Sequence, residues 1–243
     1  MSERGNERYL RQMMIEGFGP EAQRRLAGAA VFIAGAGGLG CSAALYLAAA
    51  GVGRIRLADH GAVELGNLNR QVLYTQADIG RPKSAVGAER LAALNPDIEI
   101  EARQCTLDAA SLPSLAAGCA LMIDALDNLS DRYELNKAAL AAGIPLVHGA
   151  VNGFHGQLMT VLPGRSACLM CLYRGKESAG PVPVIGVAAG TIGLLQATEA
   201  IRSICGLGGS LAGRLIVYDG LRTDFERVDI PRDPDCPHCG GLK

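Results

Sequence analysis

The chain has 243 residues, 49% of them hydrophobic and 19% charged, with a formal net charge of −1. That length suits one of the larger α/β domains, and the apolar share excludes wholesale disorder. The charge balance offers no basic surface for nucleic acid or an anionic membrane. Aromatics make up only 4%, so the core must be built from Ala, Val, Leu and Ile. No apolar run approaches the ~18 residues that span a bilayer. The polar start MSERGNERYLRQ lacks the apolar stretch of a secretory signal. A cytoplasmic location is expected. Thiols stay reduced there, and the eight cysteines need an explanation other than disulfides.

In chain order, residues 1–28 read as a polar helical arm whose apolar points are Tyr9, Leu10, Met13, Met14 and Ile15. Val31–Ala34 is a short strand, followed by a glycine loop and a helix to about Ala50. Arg54–Asp59 is a second strand, and residues 60–82 are irregular. A helix over Lys83–Leu94 stops at Asn95-Pro96, because a residue before proline is pushed out of the α region. Ile98–Ala102 alternates as a third strand, Leu121–Ala125 is a fourth and Pro145–Val151 a fifth. Between the last two, a helix over about Asp131–Ala142 ends on Gly143 as its C-cap. Strands alternating with helices imply a mostly parallel sheet with crossover helices. After residue 151 the pattern turns antiparallel, with strands at His155–Leu162, Arg214–Asp219 and Asp224–Ile230 and one helix over about Gly190–Cys205. The expected fold class is α/β, a Rossmann-like sheet with flanking helices and an antiparallel C-terminal extension.

Four motifs carry chemistry. Gly35-Ala36-Gly37-Gly38-Leu39-Gly40 follows a strand and opens a helix. Glycines there let the backbone approach a phosphate, and the helix N-terminus offers unpaired N–H groups. Asp59, at the end of the second strand, is placed to hold a ribose hydroxyl. The plainer alternative is a turn that needs glycine only for packing. These two features alone also fit an NAD-dependent oxidoreductase. Asn67-Leu68-Asn69-Arg70-Gln71 and Lys83 argue for a triphosphate instead, since Arg and Lys stabilise charge on phosphate oxygens; a solvated loop is the alternative. In Asp124-Ala125-Leu126-Asp127-Asn128, a carboxylate beyond a strand end can hold Mg2+. Asp124 reads as structural. Asp127 reads as metal-binding or catalytic, against the alternative that Asp127 or Asn128 caps the next helix.

The cysteines supply the fourth motif. Cys168-Leu169-Met170-Cys171 and Cys236-Pro237-His238-Cys239 are two C-x2-C pairs. Four thiolates make a closed tetrahedral zinc site with no position left for catalysis. A redox reading needs only one such pair. His238 is expected to face solvent, and Cys41, Cys105, Cys119 and Cys205 to be small buried hydrophobes.

Together these residues resemble the ubiquitin-activating-enzyme-like family, in particular its bacterial MoeB, ThiF and HesA members. The likeness runs from Arg8-Tyr9-Leu10-Arg11-Gln12 through the GAGGLG loop, Asp59, Asn67–Gln71 and Lys83. It continues through Asp127-Asn128, Arg132, Asn136 and both cysteine pairs. The resemblance implies ATP-dependent adenylation of the C-terminal Gly-Gly carboxylate of a small ubiquitin-like sulfur carrier. It implies Gly35, Gly37, Gly38, Leu39, Gly40, Asp59, Asn67 and Asn128 around the nucleotide, Arg70 and Lys83 on the phosphates, and Mg2+ on Asp127. It also implies a homodimer in which Arg11 reaches the site of the other subunit. One domain over 1–243 is then expected: the arm (1–28), a nucleotide-binding half (29–150) and a carrier-binding, zinc-containing half (151–243).

Two departures from the family pattern stand out. Gly61 replaces a second acid often found two residues after the ribose aspartate, and no cysteine lies between Cys171 and Cys205. A chemistry that stops at the adenylate, with a separate sulfur donor, is therefore expected. The loop over Lys176–Pro181 is expected to cover the carrier tail, and the stretch Val147–Met159 with the C-terminal strands to dock the carrier body. Adenylation of a peptide or another carboxylate, and a scaffold that has lost its chemistry, are the remaining alternatives.

Overall fold

The computed structural model describes residues 3–177, 180 and 182–242. Ser178, Ala179 and Pro181 of the expected channel cover lie outside the described residues. An eight-stranded sheet has the order β3-β2-β1-β4-β5-β6-β7-β8. Its strands are β1 (Ala30–Ala34), β2 (Arg54–Ala58), β3 (Glu99–Arg103), β4 (Leu121–Asp124), β5 (Leu146–Asn152), β6 (His155–Val161), β7 (Arg214–Asp219) and β8 (Asp224–Asp229). From β3 through β5 all pairings are parallel, and from β5 to β8 they are antiparallel.

Strand β1 is buried along its whole length, and its side chains alternate between two cores, as a strand's two-residue period requires. Val31 and Ile33 face one layer, with Leu39, Leu47, Leu91 and Ile192. Phe32 and Ala34 face the other, with Leu112, Leu135 and the four paired cysteines. The first layer holds α3 (Gly38–Ala50), α4 (Lys83–Leu94) and α8 (Gly186–Cys205). The second holds α5 (Leu112–Ala116), α6 (Leu129–Ala142) and α7 (Leu169–Tyr173). Helix α8 lies close on α3 because Gly193 has no side chain: a Cβ there would stand 2.5 Å from the Leu39 carbonyl oxygen.

Three expectations change. The N-terminal arm is two helices, α1 (Glu3–Met13) and α2 (Gly19–Gly28), and α2 is part of the body, burying Ala22, Gln23 and Leu26. Tyr9 also turns inward, accepting a 2.7 Å hydrogen bond from Asn95. The stretch Val147–Met159 is mostly core, since both faces of the β5–β6 hairpin are covered. Val147, Leu158 and Met159 are buried, and full exposure is confined to Asn152, Phe154 and His155 at the turn. Of the C-terminal strands also expected to dock the carrier, β8 is exposed along its whole length, an edge strand carrying Asp224, Glu226, Arg227 and Asp229.

Candidate nucleotide site and cysteine knuckle

Strand β1 lies between β2 and β4, so the chain reverses its direction of travel across the sheet there. Open α/β sheets bind ligands at such a switch point. The loop after β1 leads into α3 with Gly37 as N-cap, which points the first N–H groups of α3 into the crevice. Gly40 packs against the end of β1, where a Cβ would stand 1.9 Å from the Gly35 carbonyl oxygen. The Leu39 side chain belongs to the core, so only its backbone can meet a ligand.

Asp59 orders this loop. Its Oδ2 accepts the Ala36 N–H at 2.8 Å and its Oδ1 the Gly61 N–H at 2.7 Å. A Cβ on Gly61 would stand 3.1 Å from that Oδ1 and 3.5 Å from Lys83 Nζ. Gly61 thus leaves room for the ammonium beside the carboxylate. Lys83 opens α4, and among the described residues its ammonium makes no hydrogen bond or ion pair. Tyr74 ties the two elements together: its hydroxyl lies 2.9 Å from the Ala36 carbonyl and 3.2 Å from that of Lys83.

A 3-10 turn over Leu65–Asn67 carries the next segment. Asn67 is buried and its Oδ1 accepts the Glu64 N–H at 3.2 Å. The Arg70 stem borders Gly38, 3.5 Å from where a Cβ would be. Its Nη1 donates to Gly66 O at 2.8 Å and Asn69 Oδ1 at 2.9 Å. Gln71 is buried beside Gly37, with its Oε1 unpaired.

On the facing wall, Asp124 is buried. Burial raises its carboxyl, but Arg132 and His148 more than offset this and hold it below the ordinary range. Asp127 is exposed at the crevice. Asn128 caps α6, its Oδ1 accepting the Asp131 N–H at 2.9 Å. The glycine loop, Asp59, Arg70, Lys83 and the Asp127 loop therefore converge. Arg11 does not join them. Helix α1 docks at the opposite end of the sheet, where Tyr9 meets Gly51 and Asn95 beyond the C-termini of α3 and α4. Arg11 is exposed there.

The four cysteines meet in the second layer. Cys168 is the N-cap of α7 and Cys171 lies within it, Cys236 and Cys239 belong to the C-terminal tail, and the four sulfurs all lie within 4.8 Å of one another. The closer pairs are 4.0, 3.7 and 3.5 Å apart. A zinc tetrahedron with bonds of about 2.3 Å has edges of about 3.8 Å, so the donor set fits that ion. His238 is half-buried, with its Nδ1 3.1 Å from Asn136 Nδ2 and its ring edge-on to Tyr133. It braces the knuckle instead of facing solvent. Asn136 also accepts the Leu169 N–H at 3.1 Å. The other four thiols are all raised by burial, Cys41 to about 12.

The ThiF family matches this sequence over residues 9–238. The chain belongs to the ThiF family. It is 41% identical to the SAMP-activating enzyme E1 of Haloferax volcanii, over 96% of this chain and 88% of that one. It is 40% identical to the ThiS adenylyltransferase of Escherichia coli, covering 99% and 98%, and 40% identical to that organism's molybdopterin-synthase adenylyltransferase, covering 96% of each. The crystal structure of Escherichia coli MccB with ATP has the same fold, with a TM-score of 0.85 at 21% identity, covering 99% of this chain and 75% of that one. Among the described residues of this ThiF-family chain, no helix is long and apolar enough to cross a membrane.

Tyr74 and His148 escaped the sequence reading. Neither lies in a motif, and their partners Ala36 and Asp124 are distant in sequence. Gln71 lies inside the Asn67–Gln71 segment, which was its only signal.

Proposed function

We propose that this chain uses ATP to adenylate the C-terminal Gly-Gly carboxylate of a small ubiquitin-like sulfur carrier, preparing it for thiocarboxylate formation. One juxtaposition carries the reading. The uncommitted Lys83 ammonium and the Arg70 side chain flank the glycine loop at the switch point, with the Asp127 carboxylate open on the facing wall. Relatives about 40% identical over nearly the whole chain are named as adenylyltransferases of ThiS and of molybdopterin synthase. A dinucleotide reading would leave Arg70, Lys83 and Asp127 without work.

In the proposed reaction a carboxylate oxygen of the carrier attacks the α-phosphorus of ATP. The bond from that phosphorus to the bridging oxygen breaks, and pyrophosphate leaves. The nucleophile is already ionised, so no general base is needed, and the protein contributes alignment and charge neutralisation. N–H groups of Gly37, Gly38, Leu39 and Gly40 approach the phosphates. Asp59 holds the ribose with lone pairs left over from ordering the loop. Asn67, Arg70 and Lys83 steady the phosphate oxygens, and Asn128 fixes the start of α6 beside Asp127. Asp127 would hold Mg2+, which when bound offsets charge on the phosphates. Cys168, Cys171, Cys236 and Cys239 would hold a structural Zn2+.

The nucleotide work falls to residues 29–150 and carrier binding to 151–243. Since Arg11 lies at the far end of its own sheet, it serves the crevice of a second copy in a homodimer. The remaining cysteines are not activated thiolates, so sulfur comes from a separate donor protein. ATP–pyrophosphate exchange with Gly-Gly-ended carriers tests this reading. Carrier-dependent exchange that is lost in Arg70→Ala and Asp127→Ala is the expected result. ATP binding without exchange, with carriers of both the molybdopterin and thiamine types, would overturn the choice of substrate.

A further inference from the structure

A polar chain, buried at His148 and Asp124 and half-buried at Tyr173, joins the cysteine knuckle to the Asp127 loop. His148 on β5 stands opposite Asp124 on β4 in the parallel register, and both are completely buried. His148 Nδ1 lies 2.6 Å from Asp124 Oδ2, and its Nε2 lies 2.9 Å from the Tyr173 hydroxyl. With Nδ1–H donating to the carboxylate, Nε2 is free to accept the Tyr173 O–H. Gln157 Nε2 borders the junction, 3.3 Å from His148 Nε2, and donates to Tyr173 Oη.

Each end of this chain grips something the proposed reaction uses. Asp124 Oδ1 accepts the Leu126 N–H at 3.1 Å. Arg132, whose Nε is 3.6 Å from Asp124 Oδ2, donates to the carbonyls of Leu126 and Gly149. Both backbone groups of the residue before Asp127 are thus held by the Asp124–Arg132 pair. At the other end, Tyr173 closes α7 two residues after Cys171, where the backbone turns left-handed at Arg174. Both ring nitrogens of His148 and both carboxylate oxygens of Asp124 are engaged, which holds the chain in one arrangement; Arg132 Nε, beside it, has no hydrogen-bond partner.

We infer that Tyr173 and His148 are positioning residues: through Asp124 they fix the Asp127 loop against the cysteine knuckle, so that the Asp127 carboxylate is preset for its metal. The inference rests on the reading that Asp127 holds Mg2+.

Tyr173→Phe removes one hydroxyl and keeps the ring, while His148→Leu cuts both links. The Mg2+ needed for half-maximal pyrophosphate exchange should rise about fivefold in Tyr173→Phe, the worth of one hydrogen bond. The kcat should return at saturating Mg2+ and bound zinc should stay at the wild-type amount. Amide deuterium exchange across residues 124–128 should quicken in the same variant. His148→Gln, still able to donate to Asp124, should recover part of the loss seen in His148→Leu. An unchanged Mg2+ midpoint together with unchanged amide protection in Tyr173→Phe would overturn the inference, and that variant alone decides if His148→Leu fails to fold. Should the wild-type protein show no carrier-dependent exchange, the functional reading fails. Amide protection then still judges the strut: quicker exchange at 124–128 supports it and unaltered exchange overturns it.

Discussion

Gly35 and Ala125 meet backbone to backbone: a Cβ on Gly35 would stand 2.7 Å from the Ala125 carbonyl oxygen. This contact presses the loop after β1 against the loop after β4 and closes the floor of the crevice. Gly35 also has φ +98, where any side chain is strained. Gly35→Ala should cost about 1–3 kcal/mol in denaturant unfolding and weaken ATP binding. ATP affinity equal to wild type would mean that this loop does not cradle the nucleotide.

Lys83 differs, because among the described residues its ammonium has no internal partner. Lys83→Ala should leave unfolding within about 0.5 kcal/mol of wild type. Exchange turnover should nevertheless fall about a hundredfold, as for removal of one transition-state charge donor. A variant as active as wild type would remove Lys83 from the phosphate set.

The cysteine knuckle closes the second core layer, so metal loss should loosen that layer first. Cys239→Ser is expected to lose the zinc and to lower the melting temperature by about 10 °C or more. Cys205→Ser, outside the cluster, should keep the wild-type zinc content. Equal zinc in both variants would sink the four-thiolate assignment.

Asp78 stabilises the turn leading to Lys83. Its Oδ2 accepts from the Thr75 N–H at 2.9 Å, the Thr75 hydroxyl at 2.8 Å and Arg90 at 3.1 Å. The Thr75 hydrogen bonds first, then Arg90, hold its carboxyl down to about 2. The unfolded chain binds the proton more readily, so stability rises with pH across this window. The contribution is complete above about pH 4 and is lost as the pH falls through about 2. Asp78→Asn should flatten the acid limb of the stability curve, as followed by circular dichroism. An acid limb identical to wild type would refute the assignment.

Arg11 and Asp127 lie at opposite ends of the sheet. If Arg11 serves a second copy, Arg11→Ala and Asp127→Ala should each be inactive alone. A refolded equal mixture should regain about a quarter of wild-type turnover, because half the dimers are mixed and each has one intact site. A mixture as inactive as its parents would place Arg11 outside the site.

Much of the site was legible before any tertiary information. Gly35–Gly40, Asp59 and the two cysteine pairs announce themselves because few residue types can do their work, and the spacing fits a strand–loop–helix or a metal tetrahedron. The apolar stretch Val147–Met159 misled for the opposite reason: burial on both faces of an inner hairpin leaves the same pattern as an apolar docking surface. His238 looked free because its partners, Asn136 and Tyr133, are about a hundred residues away and carry no local mark.

The sequence alone determined the layered α/β order, the glycine loop after the first strand and the pairing of the four clustered cysteines, since each follows from local periodicity or from the chemistry of single residue types. Only the tertiary structure decided that Gly61 leaves room for Lys83 beside Asp59, that Arg11 lies at the far end of the sheet from its own crevice, and that half-buried Tyr173 joins buried His148 and Asp124 in one chain. Those relationships depend on which distant segments pack together, and hydrogen bonds between elements far apart in sequence leave no periodicity to read.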